Sequence, residues 1–198
     1  MNKTIAYYNN HAQAFYDRTI HADLANNHQL FLKYLPEKAH ILDAGCGVGR
    51  DAKYFLNHGY TVTAFDASEE MVKLATQETK LPVLLSTFEA MDFQEVFDGV
   101  WAEASLLHIP YHETRNVYQK IYQALKPGGV FHASYKCGTD YMPTEERDFW
   151  NMDKETIKPY FKDLFKIIEI SEEIDTRSKL APSQADKWLN FIVKKWGK

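Results

Sequence analysis

A glycine-rich segment followed by a lone carboxylate is the part of the sequence best suited to chemistry. The segment 45–49 has glycine at every second position and follows the short strand-like run Ile41-Leu42-Asp43-Ala44. Asp66 ends a second apolar run, 23 positions after Asp43. Glycines let the backbone turn tightly and pass close to a ligand, and a carboxylate after the next strand can accept both hydroxyls of a ribose. This spacing predicts a site for the adenosine half of a cofactor.

The glycine spacing also separates two cofactor classes. A dinucleotide-binding turn has the pattern G-x-G-x-x-G, whereas Gly45, Gly47 and Gly49 give G-x-G-x-G and position 50 is Arg. The spacing therefore disfavours a nicotinamide-dependent oxidoreductase, which stays an alternative interpretation.

Several motifs carry a family resemblance. The segment Asp43-Ala-Gly-Cys-Gly-Val-Gly49 resembles the first motif of class I S-adenosylmethionine (SAM) methyltransferases, and Asp66 is similar to their ribose acid. Residues 97–102 are similar to their fourth strand, and 125–129 (Leu-Lys-Pro-Gly-Gly) to the turn before their fifth. The whole chain looks most like small bacterial methyltransferases grouped near the tellurite-resistance methyltransferases. The resemblance implies SAM as cofactor, S-adenosylhomocysteine (SAH) as product and a small molecule as methyl acceptor.

The resemblance also places the cofactor on particular residues of this chain. They are Tyr8, Arg18, Asp43, Gly45, Cys46, Gly47, Gly49, Asp66, Ala67, Met71, Phe88, Glu89, Ala102 and Leu107. Asp43 either orders the glycine loop for the cofactor or only caps its amides, and Met71 packs on the adenine or belongs to the core. Thr87 stands where the family often carries an acid, which leaves Glu89 as an adenine ligand or a solvated side chain.

The segment 103–110 is predicted to line the opening of the pocket where the methyl donor and the methyl acceptor would meet. His108 is the candidate general base or positioning donor, or else a structural residue at the start of a helix. The ring of Tyr8 can make a cation–π contact with the sulfonium, and Arg18 can pair with the methionine carboxylate. Alternatively, both belong to a helix that simply packs on the sheet.

Three more side chains are candidates for binding the acceptor: Lys136, Trp150 and Arg177. A pair of cations at a pocket mouth would favour an anionic or carbonyl-bearing acceptor, unless all three are solvated surface. Methyl transfer from a sulfonium depends chiefly on alignment, so the lack of an obvious acid–base pair does not argue against an enzyme. A binding module for SAM or SAH without transferase activity is a further alternative.

Strand-like and helical segments alternate from residue 41 to 135, which predicts a parallel sheet covered by helices on both faces. The predicted strands are 41–43, 61–65, 83–85, 99–101 and 130–135. Helices are predicted in the first 18 residues and over 24–35, up to residue 58, from Ser68, and over 111–124. The runs 165–174 and 187–196, joined by a polar connector with Pro182, predict an antiparallel hairpin. We therefore predict an α/β, Rossmann-like doubly wound sheet of seven strands, mostly parallel with an antiparallel C-terminal hairpin.

The chain has 198 residues and a formal charge of −4. Its length predicts one domain over 1–198: a helical lid at 1–36, a cofactor-binding core at 37–136, and a C-terminal helix and hairpin at 137–198. The charge gives no general attraction to nucleic acid, and no apolar run approaches the ~20 residues that span a bilayer. Two cysteines fit neither a disulfide framework nor a zinc spacing. We expect a cytoplasmic monomer without a metal site, nucleic-acid partner or membrane attachment.

Overall fold

The computed structural model of the protein describes residues 2–174 and 187–196. Its strands are β1 (His40–Ala44), β2 (Thr61–Asp66), β3 (Leu84–Leu85), β4 (Phe97–Ala102), β5 (Leu125–Lys136), β6 (Tyr141–Pro143), β7 (Asp148–Trp150), β8 (Phe165–Ile174) and β9 (Lys187–Lys195). Its helices are α1 (Lys3–Asn10), α2 (Ala12–Thr19), α3 (Ala25–Leu32), α4 (Arg50–Asn57), α5 (Glu69–Thr79), α6 (Tyr111–Ala124) and α7 (Lys154–Phe161), with a 3₁₀ turn at Leu106–His108.

Seven of the strands form one sheet in the order β3-β2-β1-β4-β5-β9-β8. The first five strands pair in parallel, and β9 runs antiparallel to both β5 and β8. The predicted sheet of seven strands and its antiparallel C-terminal hairpin are confirmed. The hairpin connector, with Pro182 and the acceptor candidate Arg177, lies outside the described residues.

Both faces of the sheet are buried, because successive side chains of a strand point to opposite faces. Ile41 and Trp101 pack on one side with residues of α3, α4 and α5, whereas Leu42 and Val100 pack on the other with residues of α6 and α7. All four are fully buried. The strand order reverses at β1, between β2 and β4. A doubly wound sheet opens its ligand crevice beyond the carboxyl ends of such strands.

The elements depart from the predicted bounds at the N-terminus and around β5. The first helix is two helices, α1 and α2, interrupted at His11, and α3 ends at Leu32 instead of residue 35. Strand β5 begins at Leu125, because this residue already pairs with Phe97 of β4 before the register shifts. The N-cap predicted for Ser68 is confirmed, since its side chain accepts the amide of Met71.

Two strands after β5 were not predicted. β6 and β7 form a separate antiparallel ribbon, held by pairings such as Tyr141 with Trp150. Each strand has only three residues, which is too short to show a hydrophobic pattern. Helix α7 follows with a capping box between Asp153 and Thr156. Across the described ranges, 2–174 and 187–196, no helix has the length and apolar character needed to cross a bilayer.

Candidate active site

The glycine loop between β1 and α4 turns through left-handed backbone. The φ angle is +72° at Gly45 and +54° at Gly47, a region that residues with side chains rarely adopt. A Cβ on Gly45 would stand 2.6 Å from Cβ of Ser105, so the loop lies directly against the segment after β4. The amides of Gly45 and Cys46 donate to the carbonyl of Phe65 at 3.0 and 2.9 Å. These bonds attach the loop to the end of β2.

The Asp66 carboxylate holds the loop from the β2 side. Its oxygens accept the amides of Gly47 and Ser68, each at 2.9 Å. Burial raises the pKa of Asp66, and these backbone hydrogen bonds oppose the rise. Each carboxylate oxygen offers a second lone pair. Asp66 can therefore accept ligand hydroxyls while it orders the loop.

A buried cluster of charges lies beneath the loop. Nε and Nη2 of Arg50 donate to the two carboxylate oxygens of Asp51 at 2.8 and 2.7 Å. Burial by itself would raise the pKa of Asp51, but Arg50 and His28 hold it well below its usual range. Burial and the negative charge of Asp51 raise the pKa of Asp43. Within the described part of the chain, Oδ2 of Asp43 is buried with no hydrogen-bond partner, which suits a ligand that brings a donor.

Trp101 links this cluster to the strand behind it. Its Nε1 donates to Asp51 at 3.0 Å, and its ring stacks on that of His132 with centroids 3.9 Å apart. Nε2 of His132 lies 3.0 Å from Oε2 of Glu103. One chain of buried side chains thus fixes two carboxylates, Asp51 and Glu103, at the ends of different elements.

His108 and Tyr8 meet on the other side of the same space. Nδ1 of His108 lies 2.7 Å from the carbonyl oxygen of Asp148, so it donates there and leaves Nε2 to accept the Tyr8 hydroxyl at 3.0 Å. Burial lowers the pKa of His108 to about 4; the bond to Asp148 opposes this shift and the charge of Arg147 adds to it. The imidazole is therefore uncharged at neutral pH.

The β6–β7 ribbon fastens α1 over the site, an arrangement that we call the ribbon clasp. Nζ of Lys3 lies 2.8 Å from a carboxylate oxygen of Asp148, and the amide of Asp148 donates to Oγ1 of Thr4 at 3.3 Å. The guanidinium of Arg147 stands 4.1 Å from the ring centroid of Tyr7. The clasp thus joins the first turns of the chain to a segment more than a hundred residues away.

One cavity joins these groups, with an empty volume of about 1230 Å³ that includes its open mouth. Many of the side chains predicted to bind the cofactor line it: Tyr8, Asp43, Gly45, Cys46, Gly47, Asp66, Ala67, Met71, Phe88 and Glu89. The candidate base His108 also lines it. Phe88 and Met71 are buried, whereas Glu89 is exposed at the rim.

Four residues predicted for the cofactor are not among those that line the cavity. Arg18 is exposed and lies over the ring of Phe15, 5.2 Å from its centroid, instead of at a carboxylate-binding position. Gly49 is the N-cap residue of α4 and packs against Ala75. Ala102 and Leu107 are buried in the core. Arg50 is the guanidinium that reaches the cavity.

Two of the acceptor candidates are described by the structure, and the third, Arg177, lies outside the described residues. Lys136 lies over the ring of Phe149 at 5.3 Å, and Trp150 stacks on Tyr141 with centroids 4.9 Å apart. Neither residue lines the cavity.

The sequence interpretation missed Arg50, Asp51 and Arg147, and it gave Glu103 no role beyond its place in the predicted segment 103–110. Two signals were available, because Arg50-Asp51 directly follows the last glycine and Glu103 directly follows a buried strand. Arg147 gave no signal, since only the ribbon brings it to Tyr7 and Tyr8.

Comparison with known proteins agrees with this geometry. A family model described as a methyltransferase domain matches residues 41–129. The sterol 24-C-methyltransferase of Debaryomyces hansenii is 32% identical over 153 residues, which cover 70% of this chain and 39% of that protein. This chain spans 30 to 46% of the length of eight curated relatives that it matches.

Solved structures share the whole fold. The 1,6-didemethyltoxoflavin N1-methyltransferase of Burkholderia thailandensis, solved with 1,6-didemethyltoxoflavin and SAH, superposes with a TM-score of 0.78 at 20% identity. The superposition covers 97% of this chain and 85% of that one. TehB from Haemophilus influenzae gives a TM-score of 0.72 at 19% identity, over 93% of this chain and 66% of that one.

Proposed function

We propose that this chain, which belongs to the class I SAM-dependent methyltransferase superfamily, binds SAM and transfers its methyl group to a small molecule. The main support for this proposal is the glycine loop that follows Asp43. Its glycines adopt positive φ angles, and Asp43 and Asp66 both line the same cavity as the loop. The same cavity contains Tyr8 and His108, so a cofactor site and a place for an acceptor are continuous.

The residues present fit an adenosine sulfonium cofactor. Asp66 would accept hydrogen bonds from the ribose hydroxyls with its remaining lone pairs. The ring of Phe88 and the side chain of Met71 would flank the adenine. The unpartnered Oδ2 of Asp43 would accept a donor from the amino-acid end, directly or through water. Arg50 lines the cavity and would face the carboxylate of the cofactor, the role predicted for Arg18.

When bound, the cofactor supplies an electrophilic methyl group on a cationic sulfur, so the protein needs no covalent chemistry of its own. Tyr8, Phe15 and the ribbon clasp would exclude water and align the acceptor, which suits residues 1–36 for a lid. His108 is uncharged and presents its acceptor nitrogen to Tyr8, so a proton can be taken up there only if the phenol moves or relays it.

The rival function is a SAM or SAH sensor without transferase activity. The continuity of the cavity from Asp66 to His108 favours an enzyme, because a sensor needs no space beyond the sulfonium. A small-molecule acceptor agrees with the cavity and with the methyl acceptors named for several relatives. A monomeric state and a cytoplasmic location stay predictions.

Isothermal calorimetry with SAM, SAH and NADH tests the proposal. We expect Kd values in the micromolar range for SAM and SAH, and no heat of binding with NADH. Binding of NADH alone would overturn the cofactor assignment. If SAM and SAH bind but labelled methyl groups never reach any component of a protein-free cell extract, the sensor function would replace the enzyme.

A further inference from the structure

The guanidinium of Arg147 lies against the part of the cavity wall that Tyr8 and His108 form. It stands 4.1 Å from the ring centroid of Tyr7, 5.0 Å from that of Phe149 and 5.8 Å from that of Tyr8. Tyr8 and His108 line the cavity, and Arg147 does not. Aromatic faces attract a cation without neutralising it, so the three rings hold a positive charge next to the cavity.

Within the described part of the chain, no carboxylate forms an ion pair with Arg147. Its Nε is buried and has no hydrogen-bond partner there. The carboxylate of the neighbouring Asp148 instead contacts Nζ of Lys3 at 2.8 Å and accepts the hydroxyl of Tyr141 at 2.6 Å. The two acidic residues of the ribbon turn, 145 and 146, are exposed. A half-buried guanidinium without a counter-ion acts strongly on groups beside it, because the protein screens charge less than water does.

The charge of Arg147 acts on both polar groups at this end of the cavity. Burial raises the pKa of Tyr8, and the charge of Arg147 opposes this rise more strongly than the charge of Asp66 adds to it. Burial lowers the pKa of His108 to about 4, and the backbone bond to Asp148 opposes this shift. Among the charges near His108, Arg147 again has the largest effect, ahead of the Asp148 carboxylate. The electrostatic environment of Tyr8 and His108 is therefore dominated by a cation.

A cation at this position affects methyl transfer, because the reaction moves positive charge from the cofactor towards the acceptor. A neutral amine or alcohol would become positively charged near Arg147 and would then have to lose a proton. Nε2 of His108 does not take that proton while it accepts the Tyr8 hydroxyl. An anionic acceptor avoids both difficulties. Its charge and that of the sulfonium cancel as the new bond forms, and it has no proton to lose.

We infer that the methyl acceptor reacts as an anion, with its charged oxygen or sulfur next to Tyr8, and that Arg147 is a positioning residue that stabilises this charge across Tyr8. This inference rests on the proposed function. A lone pair of the anion attacks the methyl carbon, the bond from that carbon to sulfur breaks, and its electron pair stays on sulfur. No proton moves in this step. The rival is a neutral acceptor that is deprotonated by Glu89, the exposed carboxylate at the rim.

Three probes that share a benzene ring test the charge of the acceptor: benzenethiol, 4-nitrophenol and aniline. The first two ionise near neutral pH, whereas aniline is a neutral amine there. SAH release is measured with the full chain and SAM, and each rate is divided by the rate without protein. We expect this acceleration to rise with the ionised fraction of the anionic probes, and to be at least about tenfold smaller for aniline. The faster of the two anions identifies a sulfur or an oxygen acceptor.

Substitutions of Arg147 test the source of this preference. Arg147→Gln should reduce the acceleration of the anionic probes at least about tenfold, with the Kd of SAH changed less than about twofold. Arg147→Lys keeps the charge and should restore much of the rate. Lys158→Gln removes an exposed cation of α7 and is the matched control. Lys3→Gln breaks the ion pair of the ribbon clasp and leaves the guanidinium in place, so it separates loss of the charge from loss of the clasp.

A second measurement needs neither cofactor nor acceptor. Because the charge of Arg147 lowers the pKa of His108, Arg147→Gln should raise this pKa in the protein without ligands. Arg147→Lys should change it less, and Lys158→Gln should leave it unchanged. NMR titration of the His108 ring follows the shift directly.

The other outcomes count against the inference. It fails if aniline is accelerated as much as the anionic probes, if neither anionic probe reacts, or if Arg147→Gln leaves the pKa of His108 unchanged. Equal losses of rate in Arg147→Gln and Lys3→Gln would also overturn it, because the clasp alone would then explain them. Methylation of aniline that Glu89→Gln abolishes would establish the rival. Failure of SAM and SAH to bind the unaltered protein would instead refute the proposed function.

Discussion

The hydroxyl of Tyr8 donates to Nε2 of His108 at 3.0 Å, across 100 positions of the chain. Tyr8 belongs to α1 and His108 to the 3₁₀ turn after β4, so this bond closes the N-terminal helix over the carboxyl end of the sheet. Because Nδ1 of His108 is bound to Asp148 of the ribbon, one imidazole joins both walls of the cavity.

Tyr8→Phe removes this bond and leaves a buried nitrogen without its donor. We expect the free energy of unfolding to fall by about 1 kcal/mol, and kcat to fall more than the affinity for SAM. Urea titration measures the free energy of unfolding, the rate of SAH release measures kcat, and calorimetry measures the affinity for SAM. Tyr122→Phe, which loses only an exposed bond at 3.5 Å, is the control. Equal effects of the two substitutions would contradict the role of this contact.

The pKa of His108 gives the stability of the protein a pH dependence of known sign. The folded pKa of about 4 is below the ordinary value of 6.5, so folding favours the neutral ring. This contribution is complete above pH 6.5 and is lost as the pH falls from there towards 4. His108→Gln should therefore lose less stability than the unaltered protein over this range, measured by urea unfolding. His112→Gln, at an exposed position, should keep the original slope; parallel curves for all three proteins would exclude His108 as the cause.

Gly45→Ala tests the close approach of the loop to Ser105. The new Cβ meets positive φ and a contact of 2.6 Å to Cβ of Ser105, so both strain and collision oppose it. Gly59→Ala meets positive φ, at +84°, with no heavy atom within 4 Å. We expect about 1–2 kcal/mol of destabilisation from backbone strain at either position, and about 1–3 kcal/mol more at Gly45 from the collision. SAM binding should be lost in Gly45→Ala alone. Similar Tm values for the two variants would show that the loop can shift at little cost.

Asp66→Asn tests the ribose contact together with the support of the loop. The amide keeps one acceptor oxygen but loses the negative charge and one of the acceptors for the Gly47 and Ser68 amides. We expect the Kd of SAM to rise well over tenfold in calorimetry. Asp92→Asn, on the exposed surface, serves as the matched control. An unchanged Kd in Asp66→Asn would rule out the ribose contact.

The sequence by itself determined the sheet and the half of the site built on it. Apolar runs separated by the glycine turn, and Asp66 after the second run, are local patterns, so β1, β2, the loop and the Ser68 cap followed from short stretches of chain. The antiparallel hairpin of β8 and β9 was likewise predictable from the sequence, because each strand is long and rich in residues that favour strands.

Only the tertiary structure decided which side chains complete the reacting end. Arg18 was predicted to contact the cofactor and Arg50 was not, but the side chain of Arg18 is exposed, while Arg50 lines the cavity and pairs with Asp51. The ribbon that brings Asp148 to His108 has only three residues in each strand, and it is held by contacts with α1 that no hydrophobic pattern announces. Such contacts join segments far apart in the chain. Their energy depends on burial and on the geometry of the hydrogen-bond partners, which the spacing of residues along the sequence does not predict.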